Sequence, residues 1–293
     1  MRKILSVADI VTESENRHCT ISEIVIEREQ KLHEAGRKEI WDRMAGLWEI
    51  MKQSMVTAER NPARSLSGLV GEENKLLVEY MKTKGTLAGE GTVQAAARAM
   101  GVAALNASMG KIVACPTAGS CGIVPAVLLT TAEKTGAGKE KIIAALFTAA
   151  GIGMVIDENA STSGAEGGCQ VECGAASCMA AAAAVELAGG APAQAAHAGA
   201  IALKSVIGLV CDPVAGLVEV PCVKRNAIGA GNALLAADMA LAGIKSIIPL
   251  DEVIGAAAQV GRIMPDSLKE TAEGGLAATP IAREIARRLG VTK

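Results

Sequence analysis

Aromatic residues are scarce in this chain of 293 residues, which has two Trp, one Tyr and one Phe although 50% of its residues are hydrophobic. The apolar content therefore consists of Ala, Val, Ile, Leu and Met, and the small side chains among them permit close contacts between helices. Alanine is the strongest helix former because it loses no side-chain entropy on packing. The composition predicts a mainly α fold rich in Ala and Gly, in a chain long enough to bury a substantial core.

An excess of basic residues is also missing, since 29 Lys and Arg stand against 31 Asp and Glu. A nucleic-acid-binding surface needs a concentrated basic face, so we expect no nucleic-acid partner. No apolar run reaches the roughly 20 residues that a membrane-spanning helix needs. The longest run, residues 142–156, is interrupted by Gly151 and Gly153, and we interpret it as a buried core helix of a protein without membrane contact.

Nucleotide-binding loops are absent as well. The sequences around Gly110-Lys111 and Gly138-Lys139 lack the other Walker positions, and no segment reads GxGxxG after a clear strand. The N-terminal segment MRKILSVADIVTESEN is not typical of a secretory signal, because it reaches Asp9 before a long apolar stretch develops. We therefore expect a cytoplasmic protein whose eight cysteines do not form disulfides. Ligation of a metal or cluster is then the question that these cysteines raise.

The N-terminal part of the sequence predicts one long amphipathic helix. It opens with a possible capping box of Thr20 and Glu23 and ends at Pro62, because proline disfavours the α conformation in the residue before it. Between them, hydrophobic residues recur at helical spacing. These residues are Trp41, Met44, Trp48, Met51 and Met55. We divide the chain into an N-terminal helical arm, residues 1–65, and a second helical domain, residues 66–293.

Beyond Gly85, Ala-rich helical stretches alternate with breaks that contain Gly, Pro and Ser. Three breaks hold most of the unusual residues: NASMGKIVACPTAGSCGIVP (106–125), STSGAEGGCQVECG (161–174) and CDPVAGLVEVPCVKRNAIGAG (211–231). Glycine in a loop lets the backbone approach a ligand closely, and functional residues concentrate on loops that rigid elements hold. These three loops are the candidate functional site.

The spacing of the cysteines leaves two possible trios of metal ligands. Cys169, Cys173 and Cys178 are close in sequence, but they do not form the CxxxCxxC loop of radical chemistry. Cys169 follows a pair of glycines, Cys211 precedes Asp212-Pro213 and Cys222 follows Pro221. The chain must turn at each of these places, so thiolates from separate loops can converge on one iron-sulfur cluster. Zinc prefers close CxxC pairs, which the sequence lacks. Three cysteines are expected to be small buried hydrophobic residues instead, namely Cys19, Cys121 and Cys178.

The segments CPTAGSCGIVPAVL, SGAEGGCQVECGAASCMAAA, CDPVAGLVEVPCVKRNAIGA and KETAEGGLA occur between about Ser67 and the end of the chain. Together they resemble the α subunit of bacterial iron-sulfur L-serine dehydratases, also called L-serine deaminases, of the two-subunit type. The resemblance implies that residues 66–293 form an iron-sulfur catalytic domain in which Cys169, Cys211 and Cys222 hold a 4Fe-4S cluster. One iron would lack a thiolate and act as a Lewis acid in the conversion of L-serine to pyruvate and ammonia.

The resemblance also implies a partner subunit. Single-chain members carry a β domain with an SSHT-type segment whose His is a candidate base, and this chain has no such segment. We therefore expect a separate β subunit and leave the catalytic base unassigned. Some single-chain members place a terminal Cys near the open iron, whereas this chain ends in RRLGVTK. The expected role is cytoplasmic amino-acid catabolism that supplies gluconeogenesis. The polar residues of the matching loops are the candidates for binding L-serine: Asn106, Ser108, Lys111, Thr117, Ser120, Ser163, Glu166, Lys224 and Arg225.

Two other functions stay open from the sequence. A pyridoxal-phosphate lyase could use Lys111 for its Schiff base, although no phosphate cradle is recognisable. A non-enzymatic iron-sulfur protein, such as an electron carrier or sensor, would favour four saturating thiolates over an open iron. The three histidines, His18, His33 and His197, lie outside the three loops, and none of them is predicted to be the base.

Overall fold

The computed structural model describes residues 6–61 and 64–291, and the fold of these residues is helical. The start of the N-terminal segment (1–5), Pro62 and the last two residues of RRLGVTK lie outside the described residues. Within the described ranges the chain forms thirteen α-helices and four short 3-10 helices, with one isolated parallel bridge and no strand. The predicted mainly α fold is confirmed. The α-helices are Val7–Asn16 (α1), Ile21–His33 (α2), Arg37–Arg60 (α3), Glu73–Lys84 (α4), Glu90–Ala107 (α5), Ile123–Thr135 (α6), Lys139–Asn159 (α7), Gly164–Gly167 (α8), Cys169–Leu187 (α9), Pro192–Lys204 (α10), Cys222–Leu241 (α11), Leu250–Ile263 (α12) and Pro280–Arg288 (α13).

Helix α9 is the centre of the fold. Apart from Glu186, all of its residues are buried, as expected for a helix without a polar face. Helices α6, α7, α10 and α11 pack around it. Its run of alanines, residues 180–184, is buried, and these small side chains let the neighbouring helices approach closely. The first turn of α9, which begins with Cys169, therefore lies inside the protein.

The apolar run 142–156 lies within α7, where most of its residues are buried, as predicted for a core helix. Helix α7 packs against α9 and also against α2. The contact with α2 requires Gly151, because a Cβ atom at that position would overlap the side chain of Val25. Within the described ranges, α7 is the one helix long and apolar enough to cross a membrane, and 67% of its most apolar window is buried in the protein.

The segment from Thr20 to Asn61 forms two helices, α2 and α3, where the sequence predicted one, and that prediction is wrong. Thr20 caps α2 by accepting a hydrogen bond from the N–H of Glu23, at 3.4 Å, but the Glu23 carboxylate pairs with Arg37. Helix α2 stops at Glu34, whose left-handed conformation (φ 50°) does not continue a right-handed helix. Helix α3 begins after Gly36.

The Trp and Met stripe of α3 faces the protein interior. Trp48 is buried, and Trp41 stacks on Phe147 of α7 with ring centroids 6.0 Å apart. Helix α3 also packs against α5. The N-terminal helices thus lie against the rest of the chain, and the division into two domains at residue 65 stays a prediction.

Glu186 connects the N-terminal helices to the core. Near the end of α9, its carboxylate accepts hydrogen bonds from the N–H of Ser22 at 3.3 Å and from the hydroxyl of Thr148 at 2.7 Å. Burial raises the pKa of this carboxyl group. The carboxylate provides an acceptor for the first turn of α2, whose N–H groups have no partner within the helix.

We expect Glu186→Ala to lower the free energy of unfolding by about 2 kcal/mol, because it leaves the donors of Ser22 and Thr148 without an acceptor. Glu186→Gln should change it by less than about 1 kcal/mol, because an acceptor oxygen remains and no charge is buried. Urea unfolding under anaerobic conditions measures both, with Glu79→Ala on the exposed face of α4 as the control. Equal losses for the Ala and Gln variants would contradict this assignment.

Candidate functional site

Three buried thiols, from different parts of the chain, lie on one side of the core. Cys169 is the first residue of α9 and Cys222 is the first residue of α11, while Cys211 follows α10 in an extended segment. Their exposed fractions are 0%, 4% and 2%, respectively. The Sγ atoms of Cys169 and Cys211 and a carboxylate oxygen of Glu172 lie within 4.8 Å of one another. This group is a candidate metal centre.

The first turn of α9 is fixed by the buried side chain of Gln170. Its amide nitrogen donates to the carbonyl groups of Gly167 and Ala257, and its oxygen accepts from the N–H of Gly208. These bonds tie the start of α9 to α12 and to the segment that precedes Cys211. The position of the Cys169 thiol is therefore determined by contacts from three parts of the chain.

Cys211 is held by the only β-bridge that the described residues form. Its N–H donates to the carbonyl group of Leu268 at 2.9 Å, and its own carbonyl group accepts from the N–H of Glu270 at 2.7 Å. Glu270 has a left-handed backbone conformation (φ 63°), which is uncommon outside glycine and typical of functional sites. The bridge brings this glutamate close to the thiols.

Asn226 connects the start of α11 to the turn that contains residues 117–122. Its side-chain oxygen accepts from the N–H of Gly122 at 3.0 Å, and its nitrogen donates to the carbonyl groups of Gly119 at 2.7 Å and Cys222 at 3.0 Å. Together with Gln170 and the Cys211 bridge, these bonds bring the three loops from the sequence analysis to one place.

The carboxylate of Glu172 lies between two of these loops. One oxygen, Oε1, accepts a hydrogen bond from the hydroxyl of Thr117 at 2.6 Å, and the other, Oε2, lies 3.7 Å from Sγ of Cys169. Burial and the charge of Cys169 raise the pKa of Glu172 to about 7. Two glycines make room for the group. A Cβ atom at Gly119 would overlap Oε1, and one at Gly164 would lie 3.3 Å from Oε2.

The thiols influence one another's ionisation. Hydrogen bonds from Cys173 and Cys211, with a contribution from Arg225, hold the pKa of Cys169 well below its usual range. The hydrogen bond to Cys169, together with burial, raises the pKa of Cys211, and burial raises that of Cys222 to about 12. Metal ligation requires thiolates, so binding of a metal here would release the protons of the other thiols.

The donor set suits an iron-sulfur cluster. Soft thiolates select zinc, copper(I) and iron-sulfur clusters, and iron-sulfur clusters are held by cysteine thiolates. Cys173 also lies in this group, with its Sγ 3.6 Å from that of Cys169. Cys178 does not, because its thiol faces Gly199 of α10. The local trio therefore does not come together, and Cys178 is the buried helix residue that the sequence predicted.

Arg225, which is partly buried, forms an ion pair with the buried Asp212 beside the thiols. It donates to Asp212 and to the carbonyl group of Val210, both at 2.8 Å. The other oxygen of Asp212 accepts from the N–H of Leu276 at 2.7 Å. A Cβ atom at Gly275 would overlap the Asp212 carboxylate, which explains a glycine in that turn. Arg225 thus orders the segment around Cys211, and its predicted contact with L-serine stays a prediction.

Five other predicted substrate residues lie on or next to the loops at the thiols. Thr117 binds Glu172, Asn106 donates to the carbonyl group of Ala118, and Ser120 donates to that of Cys115. Ser163 precedes α8, and Glu166 is exposed within α8. Their roles in binding L-serine stay predictions.

The remaining three have partners elsewhere. Ser108 donates to carbonyl groups at the end of α5, and Lys224 forms an ion pair with Glu73. Lys111, the Schiff-base residue of the alternative interpretation, is exposed and lines a groove of about 470 Å³ against α3.

The three histidines lie outside the loops that meet at the thiols. His18 is exposed after α1, His33 lies near Glu29, and His197 accepts from the N–H of Ser246. Sequence reasoning predicted Thr117 and Arg225 but missed three other polar residues of the site, Glu172, Asn226 and Glu270. A spacing of three residues from Cys169 and of four from Cys222 marks Glu172 and Asn226 as same-face neighbours of the thiols on a helix, whereas the only signal for Glu270 is its place in the segment KETAEGGLA.

The comparisons with known proteins all point to the same family. A family model described as serine dehydratase alpha chain matches residues 16–277. The chain is 47% identical over 284 residues to a probable L-serine dehydratase, alpha chain, of Bacillus subtilis (strain 168), with 97% of this chain and 94% of the relative covered. It is 41% identical over 283 residues to the L-serine dehydratase, alpha chain, of Peptoniphilus asaccharolyticus, with 95% and 96% covered. L-serine dehydratase 2 of Escherichia coli (strain K12) is 35% identical over 291 residues, which cover 94% of this chain but 62% of that relative.

Proposed function

Because the chain belongs to the serine dehydratase alpha chain family, we propose that it is the α subunit of a two-subunit L-serine dehydratase. The enzyme is a lyase that converts L-serine to pyruvate and ammonia. The observation that carries the proposal is the group of buried thiols beside the Glu172 carboxylate. A β subunit then completes the enzyme, as the alpha chain names of the relatives imply.

We further propose that Cys169, Cys211 and Cys222 hold a 4Fe-4S cluster. The Cys169 and Cys211 thiols, which come from separate segments and lie within 4.8 Å of each other, support this, as do the burial of all three thiols and the soft donor set. When bound, the cluster would supply an open iron that acts as a Lewis acid on the carboxylate and β-hydroxyl of L-serine. The two glycines beside Glu172 let its carboxylate lie close to the thiols where the loops meet.

The residues of this chain would order the substrate and exclude water. Thr117 fixes the Glu172 carboxylate, which can pair with the substrate ammonium group. Asn106, Ser120 and Ser163 lie on the surrounding turns and can donate or accept further hydrogen bonds. A base of the β subunit takes the α proton while hydroxide leaves. The aminoacrylate product tautomerises and is hydrolysed by water to pyruvate and ammonia.

We place this reaction in the cytoplasm, in amino-acid catabolism that supplies pyruvate for gluconeogenesis. All eight cysteines are free thiols in the structure, which agrees with a reducing compartment.

Air should convert the anaerobically prepared protein to a three-iron form, and L-serine should slow this conversion. Loss of one electron to oxygen destabilises the cluster, which then releases the iron without a thiolate as Fe²⁺. Bound substrate occupies that iron and protects it. Electron paramagnetic resonance during timed exposure follows the three-iron signal, with L-alanine, which lacks the β-hydroxyl, as the control. Anaerobic protein without iron and sulfide would refute the cluster, whereas a cluster that L-serine does not protect would refute direct coordination of the substrate.

A further inference from the structure

The two oxygens of the Glu172 carboxylate have different surroundings. Oε1 is anchored by the hydroxyl of Thr117 at 2.6 Å. Oε2 points to the thiols and lies 3.7 Å from Sγ of Cys169. The side chain is therefore held by one oxygen while the other lies beside the Cys169 thiol, as in a ligand that a neighbouring hydrogen bond orients.

The surrounding backbone is shaped around this carboxylate. Glu172 follows Cys169 by three residues on α9, so both side chains lie on the same face of the helix. Gly119 covers Oε1, and Gly164 lies next to both Oε2 and Cys211, whose Sγ would be 3.0 Å from a Cβ atom at that position. The exposed fraction of Glu172 is 8%. A buried carboxylate needs a partner that compensates its charge.

We propose that Glu172 is a reversible fourth protein ligand of the cluster, bound through a carboxylate oxygen to the iron without a thiolate when L-serine is absent. The inference rests on the proposed function, because it requires the cluster. Together with Cys169 and Cys211, Glu172 forms the group of possible ligand atoms within 4.8 Å of one another. Carboxylate is a harder and more readily exchanged donor for iron than thiolate, which suits a position that the substrate must enter.

Exchange with the substrate preserves the charge of the buried site. The carboxylate of L-serine replaces the Glu172 carboxylate on the iron, one negative group for another. The released Glu172 then faces the ammonium group of the substrate and pairs with it, while Thr117 keeps the side chain in place. Zwitterionic serine thus enters without leaving an unpaired charge in the interior, which would be costly.

The direct test uses the reconstituted wild-type protein with its glutamate carboxylates labelled with ¹³C. Electron nuclear double resonance of the reduced cluster should show a ¹³C coupling from a bound carboxylate, and unlabelled L-serine should remove it. Glu172→Gln, reconstituted in the same way, should lack the coupling. A wild-type cluster without ¹³C coupling in the absence of L-serine would overturn the proposal, and this measurement does not depend on whether the variant folds.

A second test compares the rate at which the three-iron signal appears in air. Without L-serine, the three-iron signal should appear roughly tenfold faster in Glu172→Gln than in wild type. Removing a group that supports a bound metal weakens metal binding by about 10- to 100-fold, and we expect the lower end of this range. With saturating L-serine the two rates should converge. The matched control is Glu186→Gln, which alters another largely buried glutamate at the opposite end of α9. Equal rates for the two variants without L-serine would overturn the proposal, whereas wild-type protein that binds no cluster would instead refute the proposed function.

Discussion

Cys169→Ala, Cys211→Ala and Cys222→Ala are each expected to abolish incorporation of the 4Fe-4S cluster. With three thiolates, a cluster that loses one has a second iron without a protein thiolate, and this iron is also readily lost. The three positions lie in segments that Gln170, Asn226 and the Cys211 bridge hold rigidly, so a distant cysteine cannot move in to replace the missing ligand. Iron and sulfide analysis of anaerobically reconstituted protein measures the loss.

The neighbouring cysteines provide the controls for this prediction. Cys178→Ala should retain the full iron content, because its thiol faces α10, and the change removes little volume from the core. Cys173→Ala should also retain it. Since Sγ of Cys173 lies only 3.6 Å from that of Cys169, the double variant Cys169→Ala/Cys173→Ala excludes a substitute ligand. Full iron content in this double variant, in Cys211→Ala or in Cys222→Ala would refute the ligand assignment.

The chain by itself should be a poor catalyst even with its cluster intact. None of its three histidines lies in the loops that meet at the thiols, and the partners of His33 and His197 are elsewhere. A positioned general base contributes roughly 10² to 10⁴ in rate, so we expect a deficit of at least about 100-fold. Addition of the β subunit should restore turnover.

Anaerobic assays of pyruvate formation, with the iron content determined on the same samples, measure this dependence. An α chain without its cluster, mixed with the β subunit, is the control that separates the contribution of the base from that of the iron. Full deamination of L-serine by the reconstituted chain alone would mean that the base lies on this chain. Glu270, which the Cys211 bridge brings to the site, would then be the first residue to substitute.

The sequence by itself determined the helical class and much of the core. The scarcity of aromatic residues and the abundance of alanine are properties of composition, and they are reflected in the close packing around α9. Periodicity predicted the inward-facing stripe of α3, because the burial of one face repeats along a helix, and the continuous apolar run 142–156 predicted the buried part of α7. Periodicity did not reveal the break at Glu34, where a single left-handed residue ends α2.

Only the tertiary structure decided that Cys169 and Cys211 lie together and that Cys178 lies apart from them. Spacing left two trios open because it did not show where α9 begins. In the structure, Cys169 is the first residue of α9. Cys178 lies about 2.5 turns further along this helix, so its side chain points to the opposite side. Cys173 lies about one turn further along, so its side chain is on the same side as that of Cys169. Asp212 and Glu270 reach the site through pairing between segments that are far apart in sequence. Such contacts depend on how the whole chain packs, and no local pattern of residues encodes them.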